Sequence, residues 1–398
     1  MSAMKRLFQL MADKKASDIF LSAGSPINIK INGVAVPVNQ TVLNTEAVKT
    51  LLYEVLTEKQ IREYEDEMEL NTAFALEGVG AFRISAFRQK GTPAVVVRFI
   101  PGSVPQFDTL GLPEILKEII MRKRGLILMV GATGSGKTTS LSAMIDLRNE
   151  QKSGHILTLE DPVEFIFKNK KSIVNQREVG TDTKNFETAL KNALRQAPDC
   201  ILIGEIRDKQ TMGMALAYAQ SGHLALATLH ANNSYHAMNR IISFYPLENR
   251  PTLLLDLSAA LQAIVSQRLV RTKTGARRAA VEVLLNTRHI SELIEKGDVN
   301  EIKDAMEKSM APGSQTFEQS LFNMFMDGSI TQEECMANAD SATNMLWLIN
   351  QATAGSISSG QVATPGAADR KDEKKDGVLS ASAGPGASFN DFKIDVTT

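Results

Sequence analysis

Gly131-Ala132-Thr133-Gly134-Ser135-Gly136-Lys137-Thr138, continued by Thr139, places three glycines, a lysine and a hydroxyl at fixed spacing. Glycines let a backbone curl until several N–H groups converge, the geometry that holds phosphate oxygens. A helix beginning at Lys137 would turn the positive end of its dipole toward the same anion. Lys137 would then reach the β and γ phosphates of a nucleotide triphosphate and Thr138 the Mg²⁺. A glycine-rich strand-to-helix turn with no ligand is the bland alternative.

Hydrolysis further requires a carboxylate near the metal, a group that activates water and positive charge for the transition state. Cys200-Ile201-Leu202-Ile203-Gly204-Glu205 reads as an apolar strand ending in an acid, which puts Glu205 near Mg²⁺ directly or through water. Glu160-Asp161-Pro162-Val163-Glu164 follows another apolar run, His155 to Leu159. Both acidic groups then leave the sheet at its C-terminal edge, where ligands of open α/β sheets bind. Glu164 is the first choice for the base, although residue pattern alone does not separate it from Glu160 or Asp161. His223 and His230 bracket the run Leu224 to Leu229, and a histidine at the far end could sense the γ-phosphate through a hydrogen bond. Their spacing, with no cysteine nearby, does not suit zinc. Arg83 and Arg98 interrupt otherwise apolar strands; alone they read as solvated, but across an assembly such groups can act as arginine fingers.

The elements that must position these residues follow from periodicity. Between Ile19 and Ile100 apolar residues mostly alternate, as in half-buried strands. Asn32-Gly33 marks a hairpin between Ile27–Ile31 and Val34–Val38, and Lys90-Gly91 another between Phe82–Phe87 and Ala94–Ile100. A helix is expected over Glu46 to Glu65. Pro101 to Pro105 marks a linker. Beyond it, strands at Leu126–Val130, His155–Leu159, Cys200–Ile203 and Leu224–Leu229 alternate with helical patterns, which implies a mainly parallel sheet covered on both faces. Leu253 to Leu269 and Ile290 to Met324 read as a mostly helical end piece. After Gln351 the composition turns to Ala, Gly, Ser, Pro and mixed charge, expected to be disordered, with apolar residues returning at Phe389 to Val396 as a possible docking element.

The 398 residues suit two domains, and 43% hydrophobic with 22% charged residues is a globular composition. A formal net charge of -1 and the lack of a basic-aromatic stripe count against a RecA-like nucleic-acid motor. No apolar run approaches bilayer length and no signal peptide is evident, so a cytoplasmic protein is expected. The two cysteines, Cys200 and Cys335, suggest neither a disulfide nor a zinc site.

Taken in order, Ala16-Ser17-Asp18-Ile19, the phosphate loop, Glu160 to Phe165, Gly204-Glu205-Ile206-Arg207-Asp208 and Gly222 to His230 resemble the boxes of the secretion-type ATPases. Within them the chain resembles the type IV pilus retraction ATPases, the PilT/PilU group, over about residues 1 to 350. The resemblance implies a PAS-like domain at 1–100, a linker at 101–110 and a RecA-like ATPase domain with its helical end piece at 111–350. It also implies a hexameric ring with nucleotide between domains and subunits, working on an inner-membrane platform protein from the cytoplasmic face. Glu164 would be the catalytic glutamate, Glu205 the metal-side acid, His223 and His230 the histidine-box residues, Arg83 and Arg98 the arginine fingers. Extension ATPases of this superfamily carry a tetracysteine zinc site that is missing here. Where PilT-type motors carry Ala-Ile-Arg-Asn-Leu-Ile-Arg-Glu, this chain has Arg288-His289-Ile290-Ser291-Glu292-Leu293-Ile294-Glu295, with serine and glutamate in place of both arginines. That departure, Gln315-Thr316-Phe317 and the tail resemble the accessory, PilU-type branch, which works beside a PilT-type ring. A primary retraction motor, a nucleic-acid motor and a non-catalytic nucleotide-binding adaptor are the rival readings.

Overall fold

The computed structural model describes residues 2–31, 33–100, 104–308 and 311–357, without the side chains of 353–357. They fall into two compact units, within Met1–Gly102 and within Ser103–Ser359.

In the first unit the helix Ala3–Lys14 precedes six strands: β1 (Asp18–Ser22), β2 (Pro26–Ile31), β3 (Val34–Val42), β4 (Glu69–Leu76), β5 (Gly80–Gln89) and β6 (Thr92–Ile100). They form one antiparallel sheet in the order β3-β2-β1-β6-β5-β4. Alternation puts Ile19, Leu21, Ile29, Ile84 and Val97 on one buried face, against Leu7 and Phe8 of the first helix and Leu51 and Leu52 of a second. Phe8 stacks on Phe82 with ring centroids 4.1 Å apart. Ile31 pairs with Val34 across the expected hairpin, where Gly33 takes φ 86°; Asn32 lies outside the described residues. The single helix expected over 46–65 is two, Thr45–Tyr53 and Glu58–Glu67. Thr57 starts the second with a capping box: its hydroxyl takes the Gln60 N–H and the Gln60 side chain takes the Thr57 N–H. Strand β4 was not foreseen.

The second unit is built on seven strands: β7 (Gly125–Val130), β8 (Gly154–Glu160), β9 (Ser172–Glu178), β10 (Cys200–Ile203), β11 (Leu224–Leu229), β12 (Leu261–Arg271) and β13 (Arg277–Leu285). Their order is β13-β12-β7-β11-β10-β8-β9, parallel throughout except for β13. Leu128, Leu159, Ile203 and Ala227 pack on one face under Leu190, Leu216, Met238 and Leu257. Met129, Leu202, Leu226 and Val265 pack on the other, under Ile119, Ile120, Leu141 and Ile145. Burial on both faces is why these strands read as continuous apolar runs. Cys200 lies in the second of these cores and Cys335 in a separate cluster with Val270, Phe317 and Leu321, and burial pushes both thiols up to about 11, which leaves them unreactive near neutrality.

The expected helical piece at Leu253–Leu269 needs correction. The helix Arg250–Ala260 stops where Leu261 turns to φ -63°, ψ 137°, and the rest is β12. Ile264, Val265, Leu269 and Val270 suit a buried strand, and the turn around Gly275 (φ 81°) sends the chain back as β13. Helices Arg288–Lys296, Ile302–Glu307, Phe317–Met326, Gln332–Asn338 and Ala342–Ile357 complete the end piece, the last running beyond the limit expected at 350. The tail from 358, the docking element at 389–396 and residues 101–103 of the linker lie outside the described residues. Among the described residues no helix is long and apolar enough to cross a membrane.

Candidate active site

Strand β7 ends at Val130 and the glycine run follows directly. Gly131 must be glycine: at φ 155° an added Cβ would lie 2.6 Å from the Gln267 carbonyl oxygen. Gly136, at φ 86°, caps the helix Lys137–Gln151. The N–H groups of Thr133, Gly134 and Gly136 have no acceptor among the described residues, so they remain available for an anion. Thr133, Gly134, Lys137 and Thr138 line a cleft of about 300 Å³. Beneath it, the Ser135 hydroxyl is buried with no hydrogen-bond partner among the described residues. Gly136 and Thr139 instead border a second cavity, shared with Gln267, Leu269 and Arg278.

Lys137 is buried, and its ammonium donates to the carbonyls of Gly131 (2.7 Å) and Ala132 (2.9 Å). Burial lowers its pKa, while the charges of Glu205 and Glu164 pull the other way. Both acids line the cleft with Lys137. Glu205 follows β10, and its neighbours hold the segment to the sheet: Gly204 N–H donates to Leu159 O at 2.7 Å and Ile206 N–H to Thr228 O at 2.9 Å. Arg207 Nε donates to Glu205 Oε2 at 2.7 Å and also lies 3.6 Å from Asp161. His230 follows β11, which is paired in register with β7, and its Nε2 lies 3.4 Å from Glu205 Oε1. Burial holds the His230 pKa below that of an ordinary imidazole, with the Lys137 charge reinforcing and Glu205 opposing. The ring is therefore neutral at pH 7 and can both donate and accept.

The three acids that sequence left unseparated have different surroundings. Glu160 is buried and accepts from the Thr158 hydroxyl (2.6 Å) and the Gln176 amide (3.1 Å). Asp161 faces Arg207. Glu164 is exposed in the cleft and makes no side-chain hydrogen bond or ion pair among the described residues. Burial pushes the Glu160 pKa upward, and the Glu164 charge adds to this. A group whose folded pKa is raised stabilises the fold below its unfolded value, here 4.5, and loses that contribution as pH rises through the folded value. Glu160→Gln keeps the acceptor oxygen and removes the charge. Its melting temperature is expected to match the wild type near pH 4 and to exceed it increasingly toward pH 8; a gap independent of pH would show that Glu160 ionises normally.

His223 is not brought to this cleft. It precedes β11, at the opposite edge of the sheet, where its carbonyl accepts from Gly125 N–H and its Nδ1 lies 3.0 Å from the Ser221 hydroxyl. The six-residue β11 separates it from His230 by ~20 Å. Within its own chain His223 thus lies away from the cleft, which His230, at the C-terminal end of β11, lines.

Arg83 and Arg98 belong to the first unit, directly opposite each other in the β5–β6 register. Arg98 Nε donates to Asp18 Oδ1 at 2.9 Å, and Asp18, opposite Arg98 on β1, is buried and also bonded to the Ser17 hydroxyl. Arg83 has no hydrogen bond or ion pair among the described residues. Two functional candidates escaped sequence reasoning. Arg207 could have been suspected from its place two residues after Glu205, whereas Gln267 gave no signal because its segment was read as helix.

A profile of the family described as "Type II/IV secretion system protein" matches residues 2–276. The "Type IV pilus ATPase PilU" of Pseudomonas aeruginosa is 48% identical over 346 residues, 87% of this chain and 91% of that protein. The "Type IV pilus retractation ATPase PilT" of the same organism is 38% identical over 333 residues, 84% of this chain and 97% of that protein. A crystal structure described as the pilus retraction motor PilT with bound ADP superposes with a TM-score of 0.81 at 39% identity, covering 86% of this chain and 98% of the other. The phosphate loop, the acids beside it and this similarity over most of the length lead to one conclusion: the chain belongs to the type II/IV secretion system protein family and is an ATP-hydrolysing enzyme of its PilT/PilU group.

Proposed function

We propose that this chain is a subunit of a hexameric motor that couples Mg-ATP hydrolysis to retraction of type IV pili in twitching motility. The observation that carries the reading is the meeting of Lys137, Thr138, Glu164, Glu205 and His230 on one cleft at the C-terminal edge of the parallel sheet. The free N–H groups of the loop receive the phosphates, and Lys137 exchanges the Gly131 and Ala132 carbonyls for phosphate oxygens. The second cavity, beside Thr139 and Arg278, accepts the nucleoside end. The Thr138 hydroxyl and Glu205 carboxylate are hard oxygen donors of the kind that would hold Mg²⁺. When bound, that ion neutralises charge on the transferring phosphoryl group. Glu164 takes the proton of the attacking water. His230, neutral and beside Glu205, contacts the γ-phosphate side and passes its presence to the helix Ser234–Ser243. Arg83 and Arg98 supply transition-state charge from a neighbouring subunit.

Hydrolysis then changes the angle between the PAS-like and RecA-like domains across the 101–110 linker, and the ring acts on the inner-membrane platform protein from the cytoplasmic face. The similarity to PilU, together with Ser291 and Glu295, favours the accessory motor, working beside a PilT-type ring. The test is Mg-ATP turnover per subunit across a wide protein concentration range, with light scattering in parallel. Turnover is expected to rise as the hexamer forms, ~10-fold or more if each site needs its neighbour. Equal turnover in monomer and hexamer would remove the ring from the mechanism. Activity that appears only with a PilT-type ATPase identifies the accessory motor; stimulation by single-stranded DNA instead would revive the nucleic-acid reading.

A further inference from the structure

We propose that Gln267, on β12, is a positioning residue that sets the phosphate loop for nucleotide; this rests on the reading that the loop binds Mg-ATP. Gln267 is 2% exposed, and a buried amide must satisfy both of its ends. It does so on two parts of the loop-helix junction. Its Nε2 donates to the Ser135 carbonyl at 2.8 Å, and its Oε1 accepts from the Ser140 hydroxyl at 2.8 Å. Ser140 lies one turn inside the helix, where its N–H donates to Gly136 O. A single side chain therefore ties the end of the loop to the first turn of the helix.

The planarity of the peptide bond makes this tie directional. In a trans peptide the C=O and the following N–H point opposite ways. With Ser135 O held toward β12, the Gly136 N–H must point away from β12, and it has no acceptor among the described residues. Gln267 thus selects the orientation in which this donor is offered to an anion. The same residue explains two of the glycines. A Cβ on Gly131 would meet the Gln267 carbonyl at 2.6 Å, and one on Gly136 would meet Nε2 at 2.7 Å. Without the amide, the Ser135–Gly136 peptide can rotate and the donor set must be reordered each time nucleotide binds.

The experiment measures KM, kcat and the calorimetric Kd for Mg-ADP in the full chain and in Gln267→Met, which keeps the length and loses both hydrogen bonds. KM and Kd are expected to rise ~10-fold, equivalent to about 1.4 kcal/mol, with kcat within ~2-fold of wild type. A merely structural amide would lower the active fraction instead, reducing apparent kcat with KM unchanged, and that result overturns the proposal. Ser140→Ala is the milder second variant, expected to raise KM ~2–3-fold. Should Gln267→Met not fold, an unchanged KM in Ser140→Ala overturns the proposal. If wild type itself binds no Mg-nucleotide, the functional reading fails rather than the role of Gln267 within it.

Discussion

Glu164→Gln is expected to bind Mg-ATP with near wild-type affinity and to turn it over ~10²–10⁴-fold more slowly, the usual contribution of a general base. The expectation rests on the inequivalence of the acids around the cleft. Glu160 is buried, and its Oε1 already accepts from Thr158 and Gln176, so that oxygen is committed within the protein. Asp161 faces Arg207, and Glu205 is held by Arg207 and His230. Glu164 alone among these acids lines the cleft without a partner among the described residues, so its carboxylate can orient toward a water without breaking an existing bond. Glutamine preserves volume and removes only the basic oxygen. Single-turnover hydrolysis beside equilibrium ATP binding separates the two quantities. Normal hydrolysis in Glu164→Gln would sink the assignment, and a large loss in Glu205→Gln alone would move the base to the other acid.

If Arg83 and Arg98 are the arginine fingers proposed above, loss of either is expected to cost ~10³–10⁵-fold in kcat. Arg83 and Arg98 occupy directly opposed positions on the same sheet face, an arrangement that is unfavourable for like charges. Asp18 offsets Arg98 through its 2.9 Å contact and leaves Arg83 uncompensated among the described residues. Such an uncompensated pair fits a polyanion supplied by another subunit. The distinguishing measurement mixes two inactive variants, Arg98→Ala and Glu164→Gln. If the arginine acts across a subunit boundary, the Glu164→Gln subunit lends Arg98 to a neighbour whose Glu164 is intact. In an equal, freely exchanging mixture about a quarter of the sites are then complete, and turnover returns to about that fraction of wild type. If Arg98 serves its own chain, no mixture recovers activity. Asp18→Asn should lie between these extremes because it loosens the guanidinium without removing it.

The chemistry was legible in the sequence because it is local. The spacing from Gly131 to Thr138, the acids after β8 and β10 and the histidine after β11 each sit within a few residues of a strand end, and parallel pairing gathers those ends at one edge. Alternation likewise exposed β2, β3, β5 and β6, and continuous apolar runs exposed β7, β8, β10 and β11. Where two patterns compete, local reading failed. Leu253 to Leu269 carries a helix and then a strand with no glycine or proline at the junction, and only the place between β7 and β13 decides that Leu261 leaves the helix. The break at Thr57 was written in a capping box overlooked within a helical pattern. Tertiary structure alone decided what depends on distant neighbours. It separated Glu164 from Glu160 by burial, sent His223 to the edge away from the phosphate loop, paired Asp18 with Arg98, and set Gln267 beneath Ser135. In each case the sequence determined which groups were available, while strand order and the solvation of each side chain determined which of them could share one site.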